Sequence, residues 1–114
     1  MALIFNIVAA EAWRAAAAAG VFVGSAVDRN DGYIHFSTAA QAPETAAKWF
    51  AGCEDLVLVA VEADALGPAL RWEPSRGGAL FPHLYGALPL AAVAWARPLQ
   101  LESDGRRDFG EFAC

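Results

Sequence analysis

The chain has few cysteines, no long apolar run and no basic start. Its two cysteines, Cys53 and Cys114, lie too far apart to indicate a disulfide framework or a cysteine-based metal site. No apolar run approaches the roughly 20 residues that a membrane-spanning helix needs. The apolar residues 2–10 contain Asn6 and follow no lysine or arginine, unlike a signal peptide. These absences predict a cytoplasmic protein that is not inserted in a membrane.

Positive charge is scarce as well. The net charge is −5 at pH 7, and the eight lysines and arginines form no basic run. Because proteins bind duplex nucleic acid largely by neutralising phosphates, no duplex partner is predicted. A small phosphate-bearing ligand needs only one or two arginines and is not excluded. Hydrophobic residues make up 57% of the chain, which suggests that a partner subunit, as in a homodimer, covers part of the surface.

Several motifs of known chemistry are missing. No Gly-x-Ser-x-Gly elbow is present, which argues against a hydrolase of that class. The glycine pair Gly77-Gly78 lacks both the lysine of a P-loop and the spacing of a dinucleotide-binding loop. The two histidines have no cysteine or carboxylate at ligand spacing, so no metal site is predicted.

Strands are predicted from the apolar pattern. Residues 55–61 form a nearly unbroken apolar run, which is typical of a strand covered on both faces at the centre of a sheet. The other strands are expected over residues 3–8, 33–37, 70–73 and 91–101. The segment 24–28 is interpreted as irregular, and Asn30-Asp31-Gly32 as a tight turn ahead of a strand.

Two main helices are predicted. The alanine-rich residues 9–19 are strong helix formers, and Gly20 stands where a helix ends. A second helix begins at a capping box of Thr38 and Gln41, or at Pro43, and ends near Gly52. Helices early and strands late indicate a single α+β domain over residues 1–101, with a charged tail over residues 102–114.

Two segments concentrate polar and aromatic side chains, residues 31–38 (DGYIHFST) and residues 70–86 (LRWEPSRGGALFPHLYG). Loops of this composition between apolar flanks commonly carry binding and catalytic groups. We therefore predict a site where the two segments meet. A strand period of two places Tyr33, His35 and Ser37 on one face. If the second segment is extended, Phe81, His83 and Tyr85 share a face too. The two aromatic rings beside the imidazole then either stack on a planar ligand or pack at the edge of the core.

The candidate residues have competing interpretations. His35 binds a sugar hydroxyl or acts as an acid or base, or it is a half-buried histidine that a carbonyl satisfies. Arg76 binds an anion together with nearby backbone N–H groups, or it braces the loop by pairing with Glu73. The candidate catalytic residues are His35, Glu73 and Arg76. The candidate ligand-binding residues are Tyr33, Ser37, Trp72, Ser75, Gly77, Gly78, His83 and Tyr85.

Three segments carry a resemblance to a known family. Residues 31–38, residues 55–61 and above all residues 72–86 (WEPSRGGALFPHLYG) resemble the domain-of-unknown-function family 952. The resemblance covers residues 3–99. Members are small bacterial proteins without an established activity, so the resemblance implies a fold more than a function.

That family is in turn distantly similar to the ADP-ribosyltransferase superfamily, which includes the RNA 2′-phosphotransferases. The similarity implies a strongly bent, split β-sheet and a cleft for NAD or an ADP-ribose-type ligand, with the strand of His35 on one wall. Asn6 stands near the position of the superfamily's first-strand histidine. Its late catalytic glutamate has no clear counterpart, and Glu73 and Glu102 are the candidates.

Three hypotheses follow. The first is an ADP-ribosyltransferase-like or nucleotide-phosphate transferase, with NAD as the cofactor that the resemblance suggests. In it, Arg76 holds the anion, His35 and Ser37 bind the sugar, and His83 or Tyr85 stacks on the ring. The second is a binding module that kept the cleft without the chemistry. The third is an interaction protein whose aromatic loop is a partner interface.

Overall fold

The strands of the computed structural model form three antiparallel sheets. The structure describes residues 2–101 and 107–108. The largest has the order β1-β4-β8-β9, formed by β1 (Leu3–Ala9), β4 (Leu56–Glu62), β8 (Val93–Leu101) and β9 (Arg107–Asp108). The second pairs β2 (Val21–Phe22) with β7 (Leu88–Pro89). The third has the order β3-β6-β5, formed by β3 (Ile34–His35), β6 (Leu80–Leu84) and β5 (Leu70–Pro74). Apart from β9, the predicted charged tail lies outside the described residues.

The prediction of a central apolar strand is confirmed by β4. It lies between β1 and β8, and its residues Leu58 to Val61 are completely buried. Alternate residues of β4 join different apolar clusters: Val59 packs with Ile4, whereas Leu58 packs with Phe5. Because successive side chains of a strand point to opposite faces, the sheet has a core on each side.

Two longer helices match the two that were predicted. Helix α1 (Ala10–Ala19) lies between β1 and β2, and helix α3 (Ala42–Trp49) precedes β4. The second helix was predicted to begin either at the capping box of Thr38 and Gln41 or at Pro43, and both features are present in the structure. Thr38 and Gln41 form the reciprocal bonds of a capping box, at 3.0 and 3.2 Å, but they close a turn ahead of the regular helix. Pro43 lies in the first turn of α3, where a missing N–H does no harm.

The interpretation of residues 24–28 as irregular is wrong from Ala26 onward, because the structure has a short helix there, α2 (Ala26–Asp31). Ser25 Oγ accepts from the Asp28 N–H (3.3 Å), and the Asp28 carboxylate accepts from the Ser25 N–H (2.8 Å). These bonds satisfy donors that the start of a helix leaves unpaired. The chain does turn ahead of a strand at the predicted Gly32, but this glycine, in the left-handed conformation, forms the end of α2.

The predicted strand over residues 33–37 is shorter in the structure. It is limited to β3, because the chain changes partners at Ser37. The Phe36 N–H still donates to the Pro82 carbonyl of β6, whereas Ser37 exchanges two backbone bonds with Phe5 of β1. The remainder of the prediction, an α+β domain, is confirmed. No helix in the described part of the chain is long and apolar enough to cross a membrane.

Candidate functional site

One face of the sheet β3-β6-β5 carries a group of aromatic side chains. His35 of β3 is paired with His83 of β6, and His83 is paired with Arg71 of β5. Paired residues of antiparallel strands present their side chains on the same face. Tyr33 immediately precedes β3 and Tyr85 immediately follows β6. We name Tyr33, His35, His83 and Tyr85 the aromatic cluster. The structure thus brings together both polar-aromatic segments of the sequence.

Tyr33 lies at the centre of the aromatic cluster. Its ring is stacked on that of His83, with centroids 4.1 Å apart and planes 28° apart. It also lies 4.6 Å from the His35 ring and 5.2 Å from the Tyr85 ring. The two imidazoles meet edge to face at 5.6 Å. Tyr33 therefore covers both histidines from one side.

His35 is held by two carboxylates of helix α2. Its Nδ1 lies 2.6 Å from Asp28 Oδ1, and its Nε2 lies 3.0 Å from Asp31 Oδ2. The hydrogen bond to Asp28 raises the pKa of His35 above its ordinary 6.5, burial opposes this, and the charges of Asp28 and Asp31 add to the increase. The arrangement favours the imidazolium form, which donates from both nitrogens.

Asp28 was not among the predicted site residues, yet it organises this part of the site. Its side chain is buried and accepts from the His35 ring, the Ser25 N–H and the His35 N–H (3.3 Å). Burial alone would raise the pKa of this carboxyl, but the hydrogen bonds from His35 and Ser25 outweigh it and lower the pKa below the ordinary 3.8. The Ser25-x-x-Asp28 capping spacing was the signal in the sequence.

Glu73 connects the other two rings of the aromatic cluster. Its Oε1 accepts from His83 Nδ1 at 2.8 Å and from the Tyr85 hydroxyl at 2.7 Å. The bond from His83, followed by that from Tyr85, lowers the pKa of Glu73, and the bond to Glu73 raises the pKa of Tyr85. The Arg71 guanidinium lies 5.2 Å from the centroid of the Tyr85 ring. Glu73 is therefore an ionised acceptor shared by two donors.

A shallow cavity of about 240 Å³ adjoins the aromatic cluster at Tyr33. It is lined by Val23, Asp28, Arg29, Gly32, Tyr33, Ile34 and Gly86. The cavity places a cationic side chain and a carboxylate beside an aromatic ring. Within residues 2–101 and 107–108, no three histidine, cysteine or acidic side chains are arranged to hold a metal ion.

Ser37 and Trp72 lie away from the aromatic cluster. The Ser37 side chain is buried and its hydroxyl lies 2.8 Å from that of Thr45, which links the segment after β3 to α3. Trp72 alternates with Arg71 and Glu73 along β5 and so points to the opposite face. It is 45% exposed and lines a separate open cavity of about 310 Å³.

The glycine loop forms a tight turn. The Ser75 N–H donates to the Ala79 carbonyl, and the Gly78 N–H donates to the Ser75 carbonyl, so these two donors are used within the loop. Gly77 and Gly78 both have positive φ. The side chain of Arg76 and the whole of Glu102 lie outside the described part of the chain, and their roles stay predictions.

Asn6 touches the site from behind. Its side chain is buried, and its Nδ2 donates to the backbone carbonyl of His35 at 2.8 Å. This bond links the large sheet to β3 at the residue that carries the imidazole. Asn6 therefore supports the backbone of His35.

The two carboxylates bonded to His35, those of Asp28 and Asp31, predict that the free energy of unfolding depends on pH. A group whose folded-state pKa is raised stabilises the fold fully below its unfolded value, here 6.5, and loses that contribution as the pH rises through the folded-state value. Since the side chain is 37% exposed, screening limits the effect to about 1 kcal/mol. The free energy of unfolding of wild type relative to His35→Gln, measured with urea, should be larger at pH 5.5 than at pH 9. An equal difference at both pH values would contradict this prediction.

Comparison with solved structures finds close similarity to Protein CC0527 from Caulobacter crescentus. Its X-ray crystal structure is 54% identical in sequence, with a TM-score of 0.88 and coverage of 92% of each chain. A double mutant of that protein gives 52% identity and the same TM-score and coverage. The solution NMR structure gives 55% identity and a TM-score of 0.83, covering 93% of this chain and 91% of that one.

The family comparison agrees with the resemblance noted in the sequence. No curated protein matches the chain. The model of the family described as "Protein of unknown function (DUF952)" matches residues 7–96, which include β3, β5, β6 and the whole aromatic cluster. More than half of the sequence is thereby matched, and the chain belongs to the DUF952 family.

Proposed function

We propose that the face bearing the aromatic cluster binds a nucleotide-like ligand of the NAD or ADP-ribose type, in a cleft resembling that of the ADP-ribosyltransferases. The observation that carries the proposal is the convergence of four rings and three histidine–carboxylate pairs on one sheet face. Aromatic surfaces with a few well-placed polar groups are typical of small-molecule sites.

The side chains around the rings suit the parts of a nucleotide. Tyr33 and Tyr85 offer ring faces for a planar base. Asp31 and Glu73, with side chains 40% and 34% exposed, are acceptors for ribose hydroxyls. Arg29 lines the adjoining cavity, and an arginine at that place is suited to a phosphate.

The charge of the site favours a particular chemistry. Asp28, Asp31 and Glu73 bring three carboxylates to the aromatic cluster. Carboxylates near a reacting sugar stabilise the positive charge that develops at its anomeric carbon when a glycosidic bond breaks. Transfer of an ADP-ribosyl group is therefore the reaction class that the site suits best. A binding module without turnover is the alternative, and a transfer assay separates the two.

Thermal unfolding with and without NAD or ADP-ribose tests the proposal. A ligand at 100 times its Kd stabilises the native state by about 2.7 kcal/mol, which raises the Tm of a domain of this size by roughly 10 °C. We expect that shift in wild type and in Glu11→Gln, an exposed control on α1, and its loss in Glu73→Gln. Each variant is compared with its own ligand-free Tm.

The absence of a Tm shift would favour a different function for this sheet. If neither nucleotide shifts the Tm of wild type, the proposed function is wrong. The better candidate is then a partner interface on the opposite face of the sheet, where Trp72 and Leu80 are 45% and 52% exposed.

A further inference from the structure

We infer that the two histidines have opposite roles: His83 Nε2 is the proton acceptor of the site, and His35 is a fixed imidazolium that positions helix α2. The inference deepens the proposed function and rests on it for the identity of the ligand. It assigns His83, which sequence reasoning places among the stacking residues, to the proton transfer itself.

His35 has no lone pair to offer. One ring nitrogen faces Asp28 Oδ1 at 2.6 Å and the other faces Asp31 Oδ2 at 3.0 Å. Carboxylates accept hydrogen bonds and do not donate them, so both nitrogens carry a hydrogen when both bonds form. An imidazole in that state is a cation that cannot accept a further proton. Its contacts fasten both the middle and the end of α2 to β3.

His83 has the opposite surroundings. Among the described residues its ring is hydrogen-bonded only to Glu73, through Nδ1 at 2.8 Å. Because Glu73 is an ionised acceptor, Nδ1 carries the hydrogen, and in the neutral ring the lone pair is then on Nε2. Among the described residues, every fully buried side-chain nitrogen or oxygen has a hydrogen-bond partner, with the exception of Asn6 Oδ1. His83 Nε2 has no such partner among them, so it is not fully buried. It therefore keeps a small accessible surface, although the side chain is only 5% exposed.

Glu73 is a positioning residue in this arrangement. A carboxylate on one imidazole nitrogen fixes the tautomer and stabilises the imidazolium that forms when the other nitrogen takes a proton. The Tyr85 hydroxyl donates to the same oxygen at 2.7 Å and so holds the carboxylate in place. Tyr85 acts on the proton acceptor through Glu73.

The proton transfer that follows defines a substrate class. A hydroxyl group of the acceptor substrate lies against His83 Nε2. Its O–H bond breaks as the N–H bond forms, and its oxygen keeps the electron pair with which it attacks the anomeric carbon of the nucleotide's ribose. The glycosidic bond from that carbon to the leaving base, nicotinamide in NAD, breaks at the same time, and the base departs with the electron pair of that bond. The Nδ1–H bond to Glu73 compensates the charge gained by the ring. The structure thus points to a hydroxyl-bearing acceptor.

Nitrogen NMR of histidine labelled with 15N in its ring tests the two assignments without a ligand. The chain has only two histidines, and His35→Gln and His83→Gln assign their signals. In the neutral His83 ring we expect the hydrogen on Nδ1 and a bare Nε2, whereas both nitrogens of His35 should be protonated. Glu73→Gln should move the His83 hydrogen to Nε2, because an amide can donate to Nδ1, whereas Tyr85→Phe should leave it on Nδ1. A wild-type His83 with a hydrogen on Nε2 would overturn the inference.

Acylation by diethyl pyrocarbonate supplies an independent readout, since this reagent attacks unprotonated imidazole nitrogen. Exposure alone predicts reaction at His35, whose side chain is 37% exposed against 5% for His83. We expect the first adduct on His83 at pH 7, formed about tenfold more slowly in Glu73→Gln. A first adduct on His35 contradicts the inference.

The ligand enters in a separate arm of the experiment. Protection of His83 from acylation by NAD or ADP-ribose supports the inference and the proposed function together. If neither nucleotide binds, the proposed function fails, and the tautomer and the adduct position still decide between the two histidines. If a nucleotide binds and leaves both the Nε2 signal and the acylation rate of His83 unchanged, His83 is not the proton acceptor.

Discussion

Replacing Asp28 with asparagine is expected to lower the free energy of unfolding by about 3 kcal/mol. The buried carboxylate accepts from the His35 ring and from two backbone N–H groups, those of Ser25 and His35. An asparagine offers one acceptor oxygen and turns an NH₂ group toward donors that need acceptors. A buried donor left unpaired loses its hydration without compensation, which is why the expected loss exceeds that of an ordinary hydrogen bond.

Urea unfolding at pH 7 measures the loss, with Asp64→Asn as the matched control. Asp64 is exposed on the surface, so its replacement should change stability by less than about 0.5 kcal/mol. The acid limb adds a second check. Because the pKa of Asp28 is lowered in the fold, its contribution is present above 3.8 and is lost as the pH falls through the folded-state value. Similar losses in the two variants at pH 7 would show that Asp28 is not the anchor.

Local composition correctly predicts strand β4, whose residues are nearly all apolar, and helix α1, whose residues are mostly alanine. The apolar run of β4 is covered on both faces, and the alanines of α1 have the highest helix propensity of any residue type. Period-two alternation also places Tyr33 and His35 together, and their rings do touch. In each case the pattern that predicts the structure lies within a short stretch of the sequence.

The site itself depends on contacts that no local pattern contains. The pairing of His35 with His83 joins strands 48 positions apart, and the register of two short strands is set by the whole sheet. Alternation also places Ser37 with His35, but the chain leaves β3 for a bridge to Phe5 and takes Ser37 away. Asp28 becomes a site residue only because α2 packs against β3, which brings its carboxylate to His35, seven residues further along the chain.

Gly24 offers the other large effect, because the chain there leaves no room for a side chain. It has a φ of +99°, and a Cβ on it would lie 2.8 Å from Asp28 Cβ and 3.3 Å from Asp28 Oδ2. A contact below 3 Å with an atom next to the backbone cannot be relieved by turning a side chain. Gly24→Ala therefore combines the strain of a positive φ, about 1 kcal/mol, with displacement of a carboxylate that holds His35. We expect a total loss of about 3 kcal/mol.

Gly20→Ala is the matched control, since Gly20 has a φ of +82° and a methyl group placed on it would meet nothing within 4 Å. It should lose only the backbone contribution of about 1 kcal/mol, so the difference between the variants isolates the contact with Asp28. The ring nitrogen signals of His35 should move in Gly24→Ala and stay in place in Gly20→Ala. This follows because only Gly24 shares its space with the carboxylate that binds the imidazolium. The contrary result would be an equal loss of unfolding free energy in the two variants, with the His35 ring signals unchanged in both. It would mean that apolar packing holds α2 against β3, and that the Asp28–His35 pair contributes little to that contact.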